Sequence, residues 1–309
     1  MTLSRPLGVI GVPTSAGAFA PGQERAPRAL RDAGLLESLR EAGVLVFDHG
    51  DCQAWRWRPD RDNRSAQNLD HVVEIVRDTA QRVAEADRAG EATLVLGGDC
   101  TVGIGTVAGH CESGERIGLV YFDTHADLNI PSSVRQGTLD WMGLAHMLGE
   151  VGTAPALVNV GSGTPLLQAD QVILFAWGSE QSTPFERSVI DSRDISLIPV
   201  DEVAVDPEQA ARRARALIED RCDRLLVHFD VDVIDFTDVP LSENTGRNEG
   251  LAYDDALSAL KSLLASPRLA GMTITELNPD HTEQGAGSLE RFAAAISESL
   301  ASAPAIRRG

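Results

Sequence analysis

The sequence predicts an α/β fold: a parallel sheet with helices on both faces. Three observations carry this expectation. Short apolar runs alternate along the chain with stretches of helical spacing. Several of the runs stop abruptly at acidic residues or glycines, as a buried strand does on leaving its sheet. No linker divides the 309 residues, so one domain over 1–309 is expected.

Taken in order, residues 7–12 (LGVIGV) form the first strand, followed by a Gly/Ala/Pro-rich loop over 13–28. Residues 29–42 have helical spacing in Leu30, Leu35, Leu36 and Leu39, with Gly43 as the stop. Residues 44–47 predict a strand ending at Asp48-His49-Gly50-Asp51. The Trp/Arg/Asp-rich stretch 53–68 reads as a polar loop, a mobile or interface segment by composition. Residues 69–89 predict an amphipathic helix burying Val72, Val73, Ile75, Val76, Val83 and Ala84. A strand over 93–96 runs into Gly97-Gly98, which lets the backbone turn tightly and approach another segment closely. A helix over 101–109 then places Cys100 near a helix N-terminus, where a thiolate is favoured. Further on come helices over 141–148, 207–219, 253–264 and 289–302, and strands over 195–200 and 269–276. Segments 156–160 and 172–176 alternate with loops, and 236–250 is a long loop.

The chemistry sits where two apolar runs end. Residues 119–129 read LVYFDTHADLN. In extended chain, side chains at i, i+2 and i+4 share a face, so Asp123, His125 and Asp127 should converge just beyond the strand. Two carboxylates flanking an imidazole suit a divalent cation, although one such motif reads equally well as a solvated loop. Residues 225–235, LLVHFDVDVID, decide between these readings, because Asp230 and Asp232 repeat the pattern. Clustered carboxylates repel one another and lose hydration unless a cation compensates. Four Asp and one His are enough for two metal ions if some carboxylates bridge. Beside them, Cys100 reads as a metal-facing thiol rather than an inert buried cysteine. His228 shares the strand face of Asp230 and reads as a packed histidine or as a partner of a ligand.

Composition sets the remaining bounds. With 43% hydrophobic residues the chain is globular, and 309 residues bury a sizeable core. A formal charge of −19 and a pI near 4.7 argue against nucleic acid and anionic membrane as partners. Cys52, Cys100, Cys111 and Cys222 are scattered without a C-x-x-C pair, and the first residues, MTLSRPLGVIGVP, hold no secretory or membrane-spanning run. A cytoplasmic protein with reduced thiols is the expectation.

Gly97-Gly98-Asp99-Cys100, Asp123-Thr124-His125-Ala126-Asp127, Asp230-Val231-Asp232-Val233-Ile234-Asp235 and Glu276-Leu277-Asn278-Pro279 together resemble the signatures of the arginase/agmatinase (ureohydrolase) family, in its order. The likeness spans roughly the whole chain. It implies a three-layer, arginase/deacetylase-like domain with about eight mainly parallel strands, a dinuclear Mn²⁺ centre and a homo-oligomer, trimer or hexamer. By that resemblance Asp123 and Asp230 bridge the metals, Asp127 and Cys100 complete one shell, and His125 and Asp232 complete the other. Asp127 relays a proton and Glu276 meets the substrate's guanidinium. The implied reaction is hydrolysis of a C–N bond in a guanidino, hydroxyguanidino or formimino compound through a metal-bridging hydroxide.

The departures from the family pattern are as informative. Cys100, a softer donor, stands where most members have His, which implies either a metal preference shifted from Mn²⁺ toward Zn²⁺ or Fe²⁺ or a weak site at that position. Cys in that motif, and residues 137–143 (GTLDWMG), resemble the branch that hydrolyses Nω-hydroxy-arginine more than true arginases. Arginases carry a proton-shuttling His near Asp140, a role that here falls to Asp140 or to no residue. Asn129, Asp140, Glu180 and Arg247 are the expected substrate-binding residues, with Arg247 pairing a carboxylate at the substrate's far end. Two other readings stand beside the hydrolase: a catalytically silent relative used for binding or regulation, and a metal-dependent amide hydrolase such as a deacetylase.

Overall fold

The computed structural model describes residues 4–282 and 287–306. The apolar runs become eight strands: β1 (Leu7–Gly11), β2 (Val46–Asp51), β3 (Ala92–Leu96), β4 (Ile117–Phe122), β5 (Val172–Trp177), β6 (Ser196–Pro199), β7 (Arg224–Asp230) and β8 (Leu269–Thr275). They form one sheet in the order β2-β1-β3-β8-β7-β4-β5-β6, and every neighbouring pair is parallel. Alternation along each strand feeds two cores. Val9, Leu94, Val120, Phe122 and Phe229 pack on one face, and Ile10, Val95, Leu119, Tyr121 and Leu226 pack on the other.

Helices cover both faces, giving three layers. Among the described residues they are α1 (Ala26–Asp32), α2 (Leu35–Glu41), α3 (Leu69–Arg88), α4 (Val102–Cys111), α5 (Gly143–Met147), α6 (Pro155–Val158), α7 (Pro184–Arg193), α8 (Val200–Val205), α9 (Pro207–Ile218), α10 (Tyr253–Leu264) and α11 (Ser288–Ser302). α1, α2 and α8–α11 supply the first core, and α3–α7 supply the second.

Several local expectations change. The single helix over 29–42 is broken in two at Gly34, whose φ of 84° lies in the left-handed region that ends a helix. All four of its leucines are still buried against one core. The second strand continues through Asp48 and Asp51 instead of ending before them. It is an edge strand, so its acids face outward, where Arg31 binds Asp48 at 2.9 Å and Asp51 at 2.7 Å. α7 is an unexpected helix, yet Thr183-Pro184-Phe185-Glu186 is a legible start: Thr183 accepts from the Glu186 N–H while Glu186 accepts from the Thr183 N–H. Segment 53–68 is irregular, as expected, but fastened. Asp60 accepts from three backbone N–H groups, Gln67 bonds the carbonyls of Gln136 and Gly137, and Trp55 stacks on His71 with ring centroids 3.7 Å apart.

The loops behind the sheet are pinned by a neutral imidazole. His146 Nδ1–H donates to the Met142 carbonyl at 2.7 Å, and Nε2 accepts from the Ala154 N–H at 3.1 Å. Burial pushes this imidazole down to about 4, with the Met142 carbonyl opposing. The unfolded chain therefore takes up a proton near pH 6.5 that the native state declines until about pH 4, so this contribution to stability, about 3 kcal/mol in full, is lost as pH falls through that window. His146→Gln should lose less stability than the parent between about pH 7.5 and about pH 5, measured by denaturant titration at each pH. Equal losses in the two proteins would refute the assignment.

Candidate metal centre

The order of the strands builds the site. β3, β8, β7 and β4 are adjacent at the middle of the sheet, and Cys100, Glu276, Asp230 and Asp123 follow their carboxyl ends within a few residues. The close approach expected of Gly97-Gly98 is met here. A side chain on Gly98 would collide with the Thr14 backbone, and one on Gly97 would meet the Ile274 carbonyl 2.7 Å away.

The two acidic motifs share one device. Asp123 Oδ1 accepts from the His125 N–H at 2.7 Å, and Asp230 Oδ1 accepts from the Asp232 N–H at 2.8 Å. Each is a turn closed by an aspartate on the amide two residues ahead. The convergence predicted from extended geometry therefore has another cause. β4 and β7 end at Phe122 and Asp230, residues 231–233 form a single 3₁₀ turn, and Asp127 has a φ of 48°. Spacing of two places the side chains together because the chain turns, not because it stays straight.

Three groups of ligand atoms each lie within 4.8 Å: Cys100 with Asp123 and Asp127, Cys100 with Asp230 and Glu276, and Asp123 with His125 and Asp232. His125 Nδ1 is 3.2 Å from Asp123 and 3.1 Å from Asp232. The Cys100 thiol donates to Asp230 at 2.9 Å. Glu276, at a φ of 61°, accepts from the Cys100 N–H at 2.9 Å and from the Gln23 amide at 3.0 Å.

Charge is the salient property. Burial, reinforced by Asp232, pushes Asp123 up to about 7. Burial and neighbouring carboxylates likewise hold Asp127, Asp230, Asp140 and Glu276 well above the usual carboxylate range. Asp232 alone among these acids is drawn down: burial opposes this, but His125 and the hydrogen bonds from His125, Asn244 and Asp123 together outweigh it. The Cys100 thiol is pushed up by burial and by Asp230, so the helix terminus does not make it a thiolate by itself. Asp123 Oδ2 and Asp232 Oδ1 are buried without a hydrogen-bond partner. Orphaned carboxylate oxygens in an acid cluster with one imidazole and one thiol are a donor set that fits two divalent cations.

A cavity of about 390 Å³ opens over this cluster, lined also by Phe19, Asn129, Asp140, Trp141, Gln181, Thr183 and Asn244. Of the expected substrate-binding residues, Asn129 and Asp140 line it. Glu180 lies exposed in the turn beside it, and Gln181 and Thr183 face the cavity instead. Arg247 packs over the Phe236 ring, 5.5 Å from its centroid, and lines a separate cavity with His281 and Arg291. Asn244, donating to Asp232 at 3.3 Å, is the part of that loop that reaches the site. Sequence reasoning favoured charge at these positions, but the folded loops turn amides inward.

Glu186 is the buried acid that sequence reasoning missed. Its carboxylate accepts from the Leu128 N–H at 3.1 Å and from the Thr183 N–H at 2.8 Å, joining the loop after β4 to the start of α7. Glu186→Ala leaves two donors without partners and should cost about 3 kcal/mol of unfolding free energy, with or without chelator. A loss below about 1 kcal/mol would show that water or a rearranged loop replaces it.

The arginase family model matches residues 5–302. Human arginase-1 is 30% identical over 281 residues, covering 89% of this chain and 86% of that protein. The arginase structure from Bacillus caldovelox superposes with a TM-score of 0.84 at 27% identity, covering 96% of this chain and 98% of that one. The formimidoylglutamase structure from Bacillus subtilis gives 0.75 at 18% identity, over 98% and 90% of the two chains, a likeness of fold alone.

Proposed function

The chain belongs to the arginase family, and from that premise we propose that it is a dinuclear-metal hydrolase that cleaves a C–N bond of a small guanidino, hydroxyguanidino or formimino compound. One observation carries the proposal: four adjacent strand ends deliver six candidate metal ligands and a further acid, Glu276, to one cavity. A silent binding protein has no use for that many buried, mutually repelling acids, so the alternative is not favoured.

In this reading Asp123 and Asp230 would help to hold both ions, with Cys100 and Asp127 at one and His125 and Asp232 at the other. When bound, two divalent cations balance the acids and supply acidified water near neutral pH. Glu276, fixed by the Cys100 N–H and Gln23, holds the substrate's cationic amidine by charge-assisted hydrogen bonds. Asp127, whose Oδ2 is engaged by Tyr121, would help to relay a proton from the acidified water toward the departing amine. Asp140 has one oxygen on the Trp141 N–H and leaves the other for substrate. Asn129 Oδ1 accepts from Ser133 and Thr183, which frees its amide N–H groups to donate into the cavity. Phe19 and Trp141, with ring centroids 6.4 Å apart, form an apolar rim.

Mn²⁺ is the proposed native metal, with Zn²⁺ or Fe²⁺ favoured to the extent that the Cys100 thiolate binds. We infer further a cytoplasmic homo-oligomer acting on a small molecule; the net charge of −19 disfavours nucleic acid and anionic membrane as partners, and no described helix is long and apolar enough to cross a membrane.

Protein purified in reductant without chelator should carry about two metals per chain by mass spectrometry, the number that two-metal chemistry requires. Loaded with Mn²⁺ and offered guanidino and formimino compounds, it should release urea or formamide. Glu276→Gln should keep both metals and lower kcat/KM about 100-fold, because the lost contact is to the reacting cation. Failure of the parent to take up metal or to release either product would overturn the proposal. Loss of metal on Glu276→Gln would move Glu276 from substrate recognition to ligation.

A further inference from the structure

Tyr121 and His228 are buried side chains that the proposed reaction does not use. Tyr121 is the next-to-last residue of β4 and lies in register with His228 of β7. Its phenol donates to Asp127 Oδ2 at 2.5 Å. Its ring stacks on the His228 imidazole, with centroids 4.2 Å apart and planes within 4° of parallel. His228 Nε2 is 3.2 Å from Thr275 Oγ1, and Thr275 Oγ1 is 3.4 Å from Cys100 Sγ, whose thiol reaches Asp230. A contiguous set of side chains thus runs beneath the cluster from Asp127 to Asp230. The space for it is made by a glycine: a Cβ on Gly103 of α4 would stand 2.7 Å from His228 Nδ1.

Asp127 needs such support. It follows a sharp turn, its φ of 48° is one that a residue with a side chain seldom adopts, and it carries a carboxylate that can rotate about its last torsion. A phenol on one oxygen removes that freedom and leaves Oδ1 alone facing the cavity. The stacked imidazole prevents the phenol ring from turning away.

We propose that Tyr121, held by His228, is a positioning residue that orients Asp127 so that a single oxygen meets one metal ion. The inference rests on the reading of Asp127 as a ligand. Partners that hold metal ligands from behind are worth about 10–100-fold in metal affinity.

The experiment compares chelator-treated parent and Tyr121→Phe protein titrated with Mn²⁺ by calorimetry and electron paramagnetic resonance. The parent should bind two ions as a spin-coupled pair. Tyr121→Phe, which keeps the ring on His228, should bind one of them about 10–100-fold more weakly, with the coupled signal giving way to that of isolated Mn²⁺. An unchanged affinity and spectrum in Tyr121→Phe would overturn the inference and leave the proposed function standing. A parent that binds no pair would overturn the function, and the inference with it. Should Tyr121→Phe fail to fold, a second measurement decides. The chain has two tyrosines, and the Tyr253 hydroxyl has no hydrogen-bond partner among the described residues. In a Tyr253→Phe background, 3-fluorotyrosine therefore reports on position 121 alone. Its ¹⁹F resonance should move on adding Zn²⁺ and stay still when Asp127→Asn is added. No movement in the presence of Asp127 would refute the inference.

Discussion

The carboxylates gathered at one end of the sheet are the constraint on which the rest of this molecule depends. Asp123, Asp127, Asp230, Asp232, Asp140 and Glu276 are withdrawn from water around one cavity, with His125 as the imidazole among its lining residues. In a medium of low polarity such charges repel strongly, and the cost appears in the raised proton affinity of nearly all of them. The surrounding structure answers with donors. The amides of His125, Asp232, Cys100 and Trp141 and the side chains of Gln23, Tyr121 and Asn244 each point at one of these oxygens. Two fully buried oxygens, Asp123 Oδ2 and Asp232 Oδ1, have no donor, and these are where a cation is worth most.

Such a site is held only by a stiff frame. β7 and β8 are the last strands of the chain, yet they lie between β3 and β4. The candidate ligands from residue 100 to residue 232, and Glu276, therefore meet only when the C-terminal third has inserted into the sheet. The two cores, one on either side of the sheet, fix the spacing of the four strand ends. The close backbone contact of Gly98 with Thr14 brings the 13–25 segment, and with it Gln23, against Glu276. Stability generated in the apolar layers thus supports a cluster that opposes folding on its own.

Above the candidate metal ligands the cavity is lined by amides, a hydroxyl and aromatic rings as well as by Asp140 and Glu186. Asn129, Gln181, Thr183 and Asn244 offer directional hydrogen bonds, and Phe19 and Trp141 offer a flat apolar rim. A small ligand with a cationic head and a hydrogen-bonding body fits these surroundings. No lysine or arginine lines this cavity among the described residues, which follows from Glu180 and Arg247 lying outside it.

The candidate ligands were legible in the sequence because an apolar run ending in closely spaced acids has few explanations. Asp123, His125, Asp127, Asp230 and Asp232 were identified that way, and the strand order brings them together. Their local geometry was not legible. The spacing of two suggested a straight strand, whereas each aspartate bonds the amide two residues ahead and bends the chain. Glu186 carried a visible signal in the Thr-Pro-Phe-Glu helix start, but nothing local reveals that the same carboxylate also holds Leu128.

The sequence by itself determined the alternation of strands and helices, the parallel sheet and the candidate metal ligands, because periodicity and the cost of buried charge act over short stretches of chain. Only the tertiary structure decided that β7 and β8 enter between β3 and β4, that amides rather than Glu180 and Arg247 face the cavity, and that Tyr121 stands behind Asp127. Those outcomes depend on which distant segments pack together, and packing is a property of the whole fold rather than of any window of residues.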